Sequence, residues 1–450
     1  MLRRIHCPIS GAMWPYHPDL LARPVPRYTS FPTAVEFSDA VAAPDQAEAL
    51  AKVAQPASLY LHIPYCDQIC WYCGCNTGVA GKTHRLASYL DAIAAEIDLV
   101  AAMMPATDGI ARIAFGGGSP NAIAPLAFVR LLDHVMTRLG AGGAQVSVEL
   151  DPRSMTQEWG QVLGASRVTH ASMGVQIFSH SIQQRIGRIQ PVQLIADSTL
   201  QLREAGVGSI NFDLMYGLPG QTMDDLDDTL AATIAIAPER IALFGYAHVP
   251  HLLPRQRKID TANLPDQAAR FAMAAAGYAQ LTAAGYVPVG FDHFALPHDG
   301  LAIAARSGTL RRNFQGFTDD SAVQLIGLGA SAISCFTDRI IQNEKNAGRY
   351  RMRLSQGHLA GARGVLRNSL DRNRAIIIED ILCLRPTDIG SVMDDGCLLA
   401  QLEAFISRGL IARHNGLLSP TPMTVPYARA IAALFDPYRS TTVAQFSSAV

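Results

Sequence analysis

The chain has 450 residues, 49% of them hydrophobic and only 17% charged, against a usual charged share of about 25%, which excludes a disordered or coiled-coil protein. That length allows roughly three folding units and a large core without disulfide staples. Lys and Arg total 37 against 38 Asp and Glu, a net charge of −1, so no overall basic field exists to attract nucleic acid or an anionic membrane.

The first fifteen residues start positive but lack a continuous apolar core, so no secretory signal is read there. Residues 1–54 form an N-terminal arm in which Pro24, Pro26 and Pro32 favour extended backbone. Residues 55–350 carry the main rhythm. A strand is predicted at Ser58–Ile63, then a helix whose Leu86, Leu90, Ile93, Ile97 and Val100 form one apolar stripe. Glu96 and Asp98 interrupt that stretch, so it does not span a bilayer. A second strand, Ile110–Phe115, enters a glycine loop. The following helix has Pro125 near its start, Phe128, Leu132, Val135 and Leu139 on one face, and Gly140 at its end.

Further strands are predicted at Gln145–Leu150, His170–Gln176, Ser209–Met215 and Ile241–His248. After the fifth comes a helix with Thr222 as N-cap and Asp224 and Asp225 in its first turn. Repeated β–α units imply a parallel sheet with right-handed crossovers, and six fit an α/β open partial (β/α)6 barrel. Ligands of such folds sit at the C-terminal strand ends. Residues 351–450 read as a smaller, mostly helical C-terminal domain broken at Pro386, Pro420, Pro422 and Pro426.

Four of the eight cysteines, Cys66, Cys70, Cys73 and Cys75, fall within ten residues, while Cys7, Cys335, Cys383 and Cys397 are scattered. Tight clustering without a secretory signal points to metal or redox chemistry rather than disulfides. Three thiolates spaced C-x3-C-x2-C can hold three irons of a [4Fe–4S] cluster and leave the fourth open, whereas electron-transfer clusters normally have four cysteines. S-adenosylmethionine can fill that opening through its amino and carboxylate groups, and one electron then releases a 5′-deoxyadenosyl radical. A zinc site would need a fourth ligand such as Cys75 or His62, and no second distant Cys pair exists. Buried inert thiols are the remaining reading. His62, at mid-strand, reads as a hydrogen-bonded core histidine.

With Gly116-Gly-Gly-Ser-Pro120 after the second strand, the cysteine motif resembles the radical S-adenosylmethionine (SAM) superfamily. Within it, the chain resembles the oxygen-independent coproporphyrinogen III oxidases (coproporphyrinogen dehydrogenases). The matching stretches include Pro26–Thr33, Tyr60–Asn76, Glu149–Arg153, Gly174–Phe178, Phe212–Pro219, Tyr246–Pro250, Gln256–Ile259, Asp292–Ala295, Arg312–Gly316 and Gly329–Ser334. The resemblance implies a radical SAM type of partial barrel, and cluster ligation by Cys66, Cys70 and Cys73 but not Cys75. It implies two S-adenosylmethionine molecules. Tyr60, Gly117, Glu149 and Ile333 would contact the cluster-bound one; Tyr72, Gly118, Ser119, Gln176, Arg188, Asp213 and Ala247 would contact the second. The glycines would let backbone approach the cofactor, the carboxylates suit ribose hydroxyls, and Arg188 can fork onto a carboxylate. Taken singly, Glu149, Gln176 or Asp213 would read as capping or solvated residues; their joint order is what points to a site. Ser119 keeps the hydroxyl of the family's commoner Thr, while Ile177 and Gly245 replace its usual Asp and Asn.

The activity implied is oxidative decarboxylation of two propionates of coproporphyrinogen III to vinyl groups, forming protoporphyrinogen IX in haem biosynthesis without oxygen. Each radical would take a hydrogen from a propionate β-carbon, and loss of carbon dioxide and one electron would complete each vinyl group. The expected partners are the tetra-anionic porphyrinogen and an electron donor such as flavodoxin or ferredoxin, with no nucleic acid or membrane; a cytoplasmic monomer is expected. Four propionates call for local positive charge, offered by Arg27, by Arg255, Arg257 and Lys258, and by Arg311 and Arg312. The competing function is a haem chaperone that keeps the cluster motif. Such relatives usually lack Arg27–Pro32 and the Cys73–Asn76 ending, and this chain has both.

Overall fold

Strand β1 (Ala57–Ile63) is buried at every position, the pattern of a strand covered on both faces. In the computed structural model, which describes residues 14–53, 56–81, 83–105, 109–393 and 395–441, it lies inside a 12-stranded sheet. The strands that follow in the chain are β2 (Ile110–Gly117), β3 (Gln145–Leu150), β4 (His170–Gln176), β5 (Ser209–Tyr216) and β6 (Arg240–Gly245). Then come β7 (Val287–Val289), β8 (His293–Ala295), β9 (Gln324–Leu328), β10 (Ile333–Cys335), β11 (Arg339–Asn343) and β12 (Gly361–Leu366). The order across the sheet is β12-β11-β10-β9-β1-β2-β3-β4-β5-β6-β8-β7. β1 to β6 are parallel neighbours in sequence order, as the β–α rhythm predicts. The first and last strands in this order do not pair, so the barrel is open.

Helices between the parallel strands supply the outer layer. Ile93, Ile97 and Val100 of helix Thr83–Met103 and Phe128, Leu132 and Val135 of helix Pro125–Arg138 share one core with Leu59, Leu61, Ile113 and Val148 from the sheet. Thr222 caps helix Met223–Ile236 by accepting from the Asp225 N–H, while Asp225 accepts from the Thr222 N–H at 2.9 Å. Such a cap is worth about 1 kcal/mol.

Four features differ from the sequence reading. A seventh parallel strand, β9, pairs with the far side of β1; short antiparallel strands and a hairpin at residues 311–318 come before it and interrupt the β–α rhythm. β6 ends at Gly245, so Tyr246–His248 follow the strand rather than close it. The arm holds two helices, Pro18–Leu21 and Ala43–Leu50, each with proline in its first turn, where a missing N–H costs nothing. The C-terminal region contains a three-stranded antiparallel sheet (Thr387–Asp388, Ile411–His414, Leu417–Pro420) among its helices. Asn415 and Gly416, both at positive φ, form the two-residue turn between the last two strands, an Asn-Gly hairpin signal that the sequence carries openly.

The arm packs against the C-terminal region. Trp14, Leu21, Val25, Tyr28 and Phe31 share a core with Ile377, Leu382, Leu402, Tyr427 and Phe435. Among the described residues, no helix is long and apolar enough to cross a membrane. Cys7 lies outside the described residues.

Candidate functional site

After β1 the chain turns at Pro64, and Tyr65–Cys66 pairs in parallel with Gly78–Val79. This closes residues 67–77 into a loop that carries Cys70, Cys73 and Cys75. Three contacts fix it. The Trp71 N–H donates to the Ile186 carbonyl at 3.1 Å; Arg255 donates to the Thr77 hydroxyl at 3.1 Å; and Gln256 Nε2 donates to the Tyr72 carbonyl at 2.9 Å and the Ala247 carbonyl at 3.0 Å.

The glycine loop at the end of β2 lies directly on this turn. The Gly118 N–H donates to the Ile63 carbonyl at 2.9 Å and the Ser119 N–H to the Tyr65 carbonyl at 2.7 Å. A Cβ at Gly118 would stand 2.4 Å from the Tyr65 carbonyl oxygen, and one at Gly117, where φ is +108°, would stand 2.4 Å from the His62 ring. The motif therefore needs glycine for contact with the chain's own backbone and side chains, as well as for lining the site.

A cavity of about 180 Å³ opens at the C-terminal ends of the strands. Cys66, Cys70, Cys73 and Cys75 line one side, with Tyr72, Gly117, Gly118, Ser119, Glu149, Gln176, Arg188 and Asp213 around the rest. Eleven of the residues singled out for cluster or cofactor thus meet here. Tyr60, Ala247 and Ile333 do not line it. Tyr60 is buried, its hydroxyl 3.0 Å from His62 Nδ1 and its ring edge-on to Phe314. Ile333 packs with Phe37 and Ile340. Ala247 is tied to Tyr72 through Gln256.

The electrostatics are graded across the thiols. Burial pushes the Cys66 thiol up to about 12. The hydrogen bond from the Cys75 thiol holds Cys73 at about 6, with the Cys75 N–H also donating to its sulfur at 3.4 Å. Two guanidinium groups address Cys70: Arg188 Nη1 at 3.2 Å and Arg153 Nη2 at 3.4 Å. Both arginines also hold the Asp151 carboxylate, Arg153 at 2.6 Å and Arg188 at 3.2 Å. Such a donor set fits an iron–sulfur cluster, whose thiolates carry negative charge that outer N–H groups offset. Among the described residues no three His, Cys, Asp or Glu side chains converge on a single-ion position.

Opposite the thiols, Glu149 is set deep among protein atoms while its carboxyl opens onto the cavity. Burial pushes it up to about 7, against the pull of the Gly117 N–H at 3.1 Å. Asp213 is likewise raised by burial, and accepts from Asn211 at 2.8 Å and Ser172 at 3.2 Å. Gln176 sits at a bulge of β4 with φ of +66°, a conformation unusual for a side chain of its size.

The six basic residues do not form one clamp. Arg255 serves the cysteine loop, the exposed Lys258 lies 5.9 Å over the Trp71 ring, and Arg257 is exposed beside it. Arg311 pairs with Glu379 at 2.7 Å. Arg27 and Arg312 do come together: Arg312 donates to the Arg27 and Tyr28 carbonyls, and Arg27 donates to the Gly245 carbonyl at 3.0 Å. Arg311 and Arg312 also line a second cavity of about 320 Å³ between the arm, β9, β10 and helix Ser369–Leu382, which Ile333 reaches from the sheet. Site residues missed as individuals were Asp151, Arg153 and Gln256, although each lies inside a stretch singled out for its resemblance.

The Radical SAM superfamily model matches residues 60–232. The chain is 39% identical to the oxygen-independent coproporphyrinogen III oxidase of Bradyrhizobium diazoefficiens, over 92% of this chain and 94% of that one. It is 37% identical to the oxidase of that name from Pseudomonas aeruginosa, over 92% and 93%. The solved structure of coproporphyrinogen III oxidase (HemN) from Escherichia coli, described as a radical SAM enzyme, superposes with a TM-score of 0.87 at 32% identity, covering 95% of this chain and all of that one.

Proposed function

The chain belongs to the oxygen-independent coproporphyrinogen III oxidase family of radical SAM enzymes, and we propose that it converts two propionates of coproporphyrinogen III to vinyl groups, yielding protoporphyrinogen IX. When bound, a reduced [4Fe–4S] cluster and S-adenosylmethionine supply the 5′-deoxyadenosyl radical that takes a hydrogen from the propionate β-carbon.

The chain's own residues do the remaining work. Cys66, Cys70 and Cys73 would hold the cluster, with Arg153 and Arg188 offsetting charge at the Cys70 sulfur. Cys75, whose thiol donates to Cys73, would not ligate it and would leave a position for S-adenosylmethionine. Of the residues expected to serve the cluster-bound S-adenosylmethionine, Gly117 and Glu149 line the cavity, while Tyr60 and Ile333 lie outside it. Tyr72, Gly118, Ser119, Gln176, Arg188 and Asp213 line it and serve a second molecule, with Ala247 behind Tyr72 through Gln256. Glu149 and Asp213 offer carboxyl oxygens to ribose hydroxyls across the cavity they share. Arg27 and Arg312 meet the substrate's carboxylates where the arm packs against the C-terminal region. A donor of the flavodoxin or ferredoxin class supplies the electron.

The observation that carries this reading is the convergence of three thiols, the glycine loop, Glu149 and Asp213 on one cavity at the strand ends. The test is anaerobic reconstitution with iron and sulfide, then chromatography of the products from coproporphyrinogen III. Vinyl products with 5′-deoxyadenosine are expected. Transfer of bound haem without vinyl products would instead favour the chaperone function.

A further inference from the structure

A small cavity of about 60 Å³ lies between β6, helix Gln267–Ala283, the arm and the C-terminal region. Three of its lining residues are arginines from three distant segments, Arg27, Arg270 and Arg429, and its one lining carboxylate is Asp292. A fourth guanidinium, that of Arg312, stands behind Arg27 and stacks on Phe317 at 4.5 Å and Phe291 at 5.2 Å. Asp292 already has a partner in His293 Nδ1 at 2.6 Å. Four guanidinium groups therefore gather around one shared carboxylate.

Two of their nitrogens, Arg270 Nε and Arg312 Nη1, are buried and have no hydrogen-bond partner among the described residues. A buried donor left unmade costs about 1–3 kcal/mol, more when it belongs to a charged group. Burial and the neighbouring Arg27 charge push Arg429 down to about 9 and lower Arg270 as well. Against burial, which would raise it, His293, Arg312 and Arg27 hold the Asp292 carboxyl low. The charge left over is positive.

The pocket is kept open and placed near the reaction cavity. A Cβ at Gly245 would stand 3.0 Å from the Tyr216 hydroxyl and 3.1 Å from Arg270 Nη2, so a glycine there preserves the arginine's position. Phe244 lines this pocket and also a cavity of about 270 Å³ inside the barrel. That inner cavity shares Glu149, Ser172 and Asp213 with the cysteine cavity. A volume of about 60 Å³ has room for a few waters or one carboxylate group.

The geometry points to a carboxylate-binding pocket in which Arg270 and Arg429 join Arg27 and Arg312 to anchor a propionate of the porphyrinogen, an assignment that rests on the substrate class proposed above. Bidentate guanidinium–carboxylate bonds supply the affinity. The arm completes the pocket, since Arg429 grips the Val25 carbonyl at 2.8 Å and the Pro26 carbonyl at 3.3 Å while Arg27 enters from the next residue.

The test titrates cluster-loaded protein, without reductant, with coproporphyrin III, a light-absorbing tetracarboxylate, and with its uncharged tetramethyl ester. Arg270→Gln and Arg429→Gln should each raise Kd for the acid at least tenfold, with Arg270→Lys between them and wild type. Affinity for the ester should not change, nor should iron content. Equal Kd for the acid in wild type and both Gln variants would overturn the pocket. If a Gln variant fails to fold by circular dichroism, Arg27→Ala, at an exposed residue of the arm, decides in the same way. Failure of the proposed function has a different mark: wild-type protein would bind the acid yet form no vinyl product, or would not bind it at all.

Discussion

Arg188 ties Cys70 to Asp151: one guanidinium nitrogen donates to the Cys70 sulfur at 3.2 Å and another to the Asp151 carboxylate at 3.2 Å. The arginine is 6% exposed and the aspartate 7%, so the bridge is shielded from salt and bulk water. It couples the end of β3 to the cysteine loop, two elements far apart in sequence.

Arg188→Ala should leave Asp151 with Arg153 alone and remove one donor from the Cys70 sulfur. A positive donor near a cluster sulfur favours the reduced, more negative state. The cluster's midpoint potential should therefore fall in the variant, and Arg188→Lys should lie between. Redox titration followed by electron paramagnetic resonance measures this; an unchanged potential would remove Arg188 from tuning. Loss of the buried bonds should also cost about 1–3 kcal/mol of stability.

Cys66→Ser should abolish the brown chromophore and 5′-deoxyadenosine formation. Cys75→Ser should keep iron and sulfide near wild-type content, because a fourth thiolate would close the iron that the cofactor needs. Equal loss in the two variants, by iron and sulfide analysis, would refute this ligand assignment.

Gly118→Ala should weaken S-adenosylmethionine binding at least tenfold in equilibrium dialysis, since its Cβ would meet the Tyr65 backbone at 2.4 Å. Gly142→Ala, with nothing within 4 Å of the added carbon, should behave as wild type.

Arg312→Ala should raise KM for coproporphyrinogen with iron content intact, whereas Arg255→Ala should lower iron content by releasing Thr77. The opposite pattern in steady-state kinetics and iron analysis would reverse the two roles.

Glu96 predicts a pH dependence of stability. It is fully buried, and accepts from the Gly329 N–H at 2.6 Å, Tyr350 at 2.6 Å and Asn343 at 2.7 Å. Burial nonetheless pushes it up to about 7, above its ordinary 4.5. The unfolded chain therefore loses this proton first as pH rises. The stabilisation is fully present below about pH 4.5, declines up to about pH 7 and is then gone, a loss of about 3 kcal/mol. Urea midpoints across that range should show this fall in wild type and a flatter profile in Glu96→Gln.

The six β–α units, the cysteine loop and the glycine turn were legible in the sequence because each rests on spacing between near neighbours. Apolar residues three and four apart mark the helices, and C-x3-C-x2-C marks a candidate ligand set without any knowledge of the fold. Glu149 and Asp213 were legible only through resemblance; alone, each would have read as an ordinary polar residue. The Asn415-Gly416 hairpin carries a local signal of its own, an Asn-Gly pair at positive φ, beside prolines that read as breaks.

What the tertiary structure alone decided is which charges meet. Six basic residues were candidates in the sequence, yet Arg255 turns to the cysteine loop and Arg311 to Glu379, while Arg312 joins Arg27. Arg270 and Arg429 gave no local signal, being single arginines in helices at Gln267–Ala283 and Ala428–Ala432. Spacing and periodicity specify ligand sets and elements because these depend on short stretches of backbone. Electrostatic partners depend on distances between side chains hundreds of residues apart, and those distances exist only once the arm and the C-terminal region have packed together.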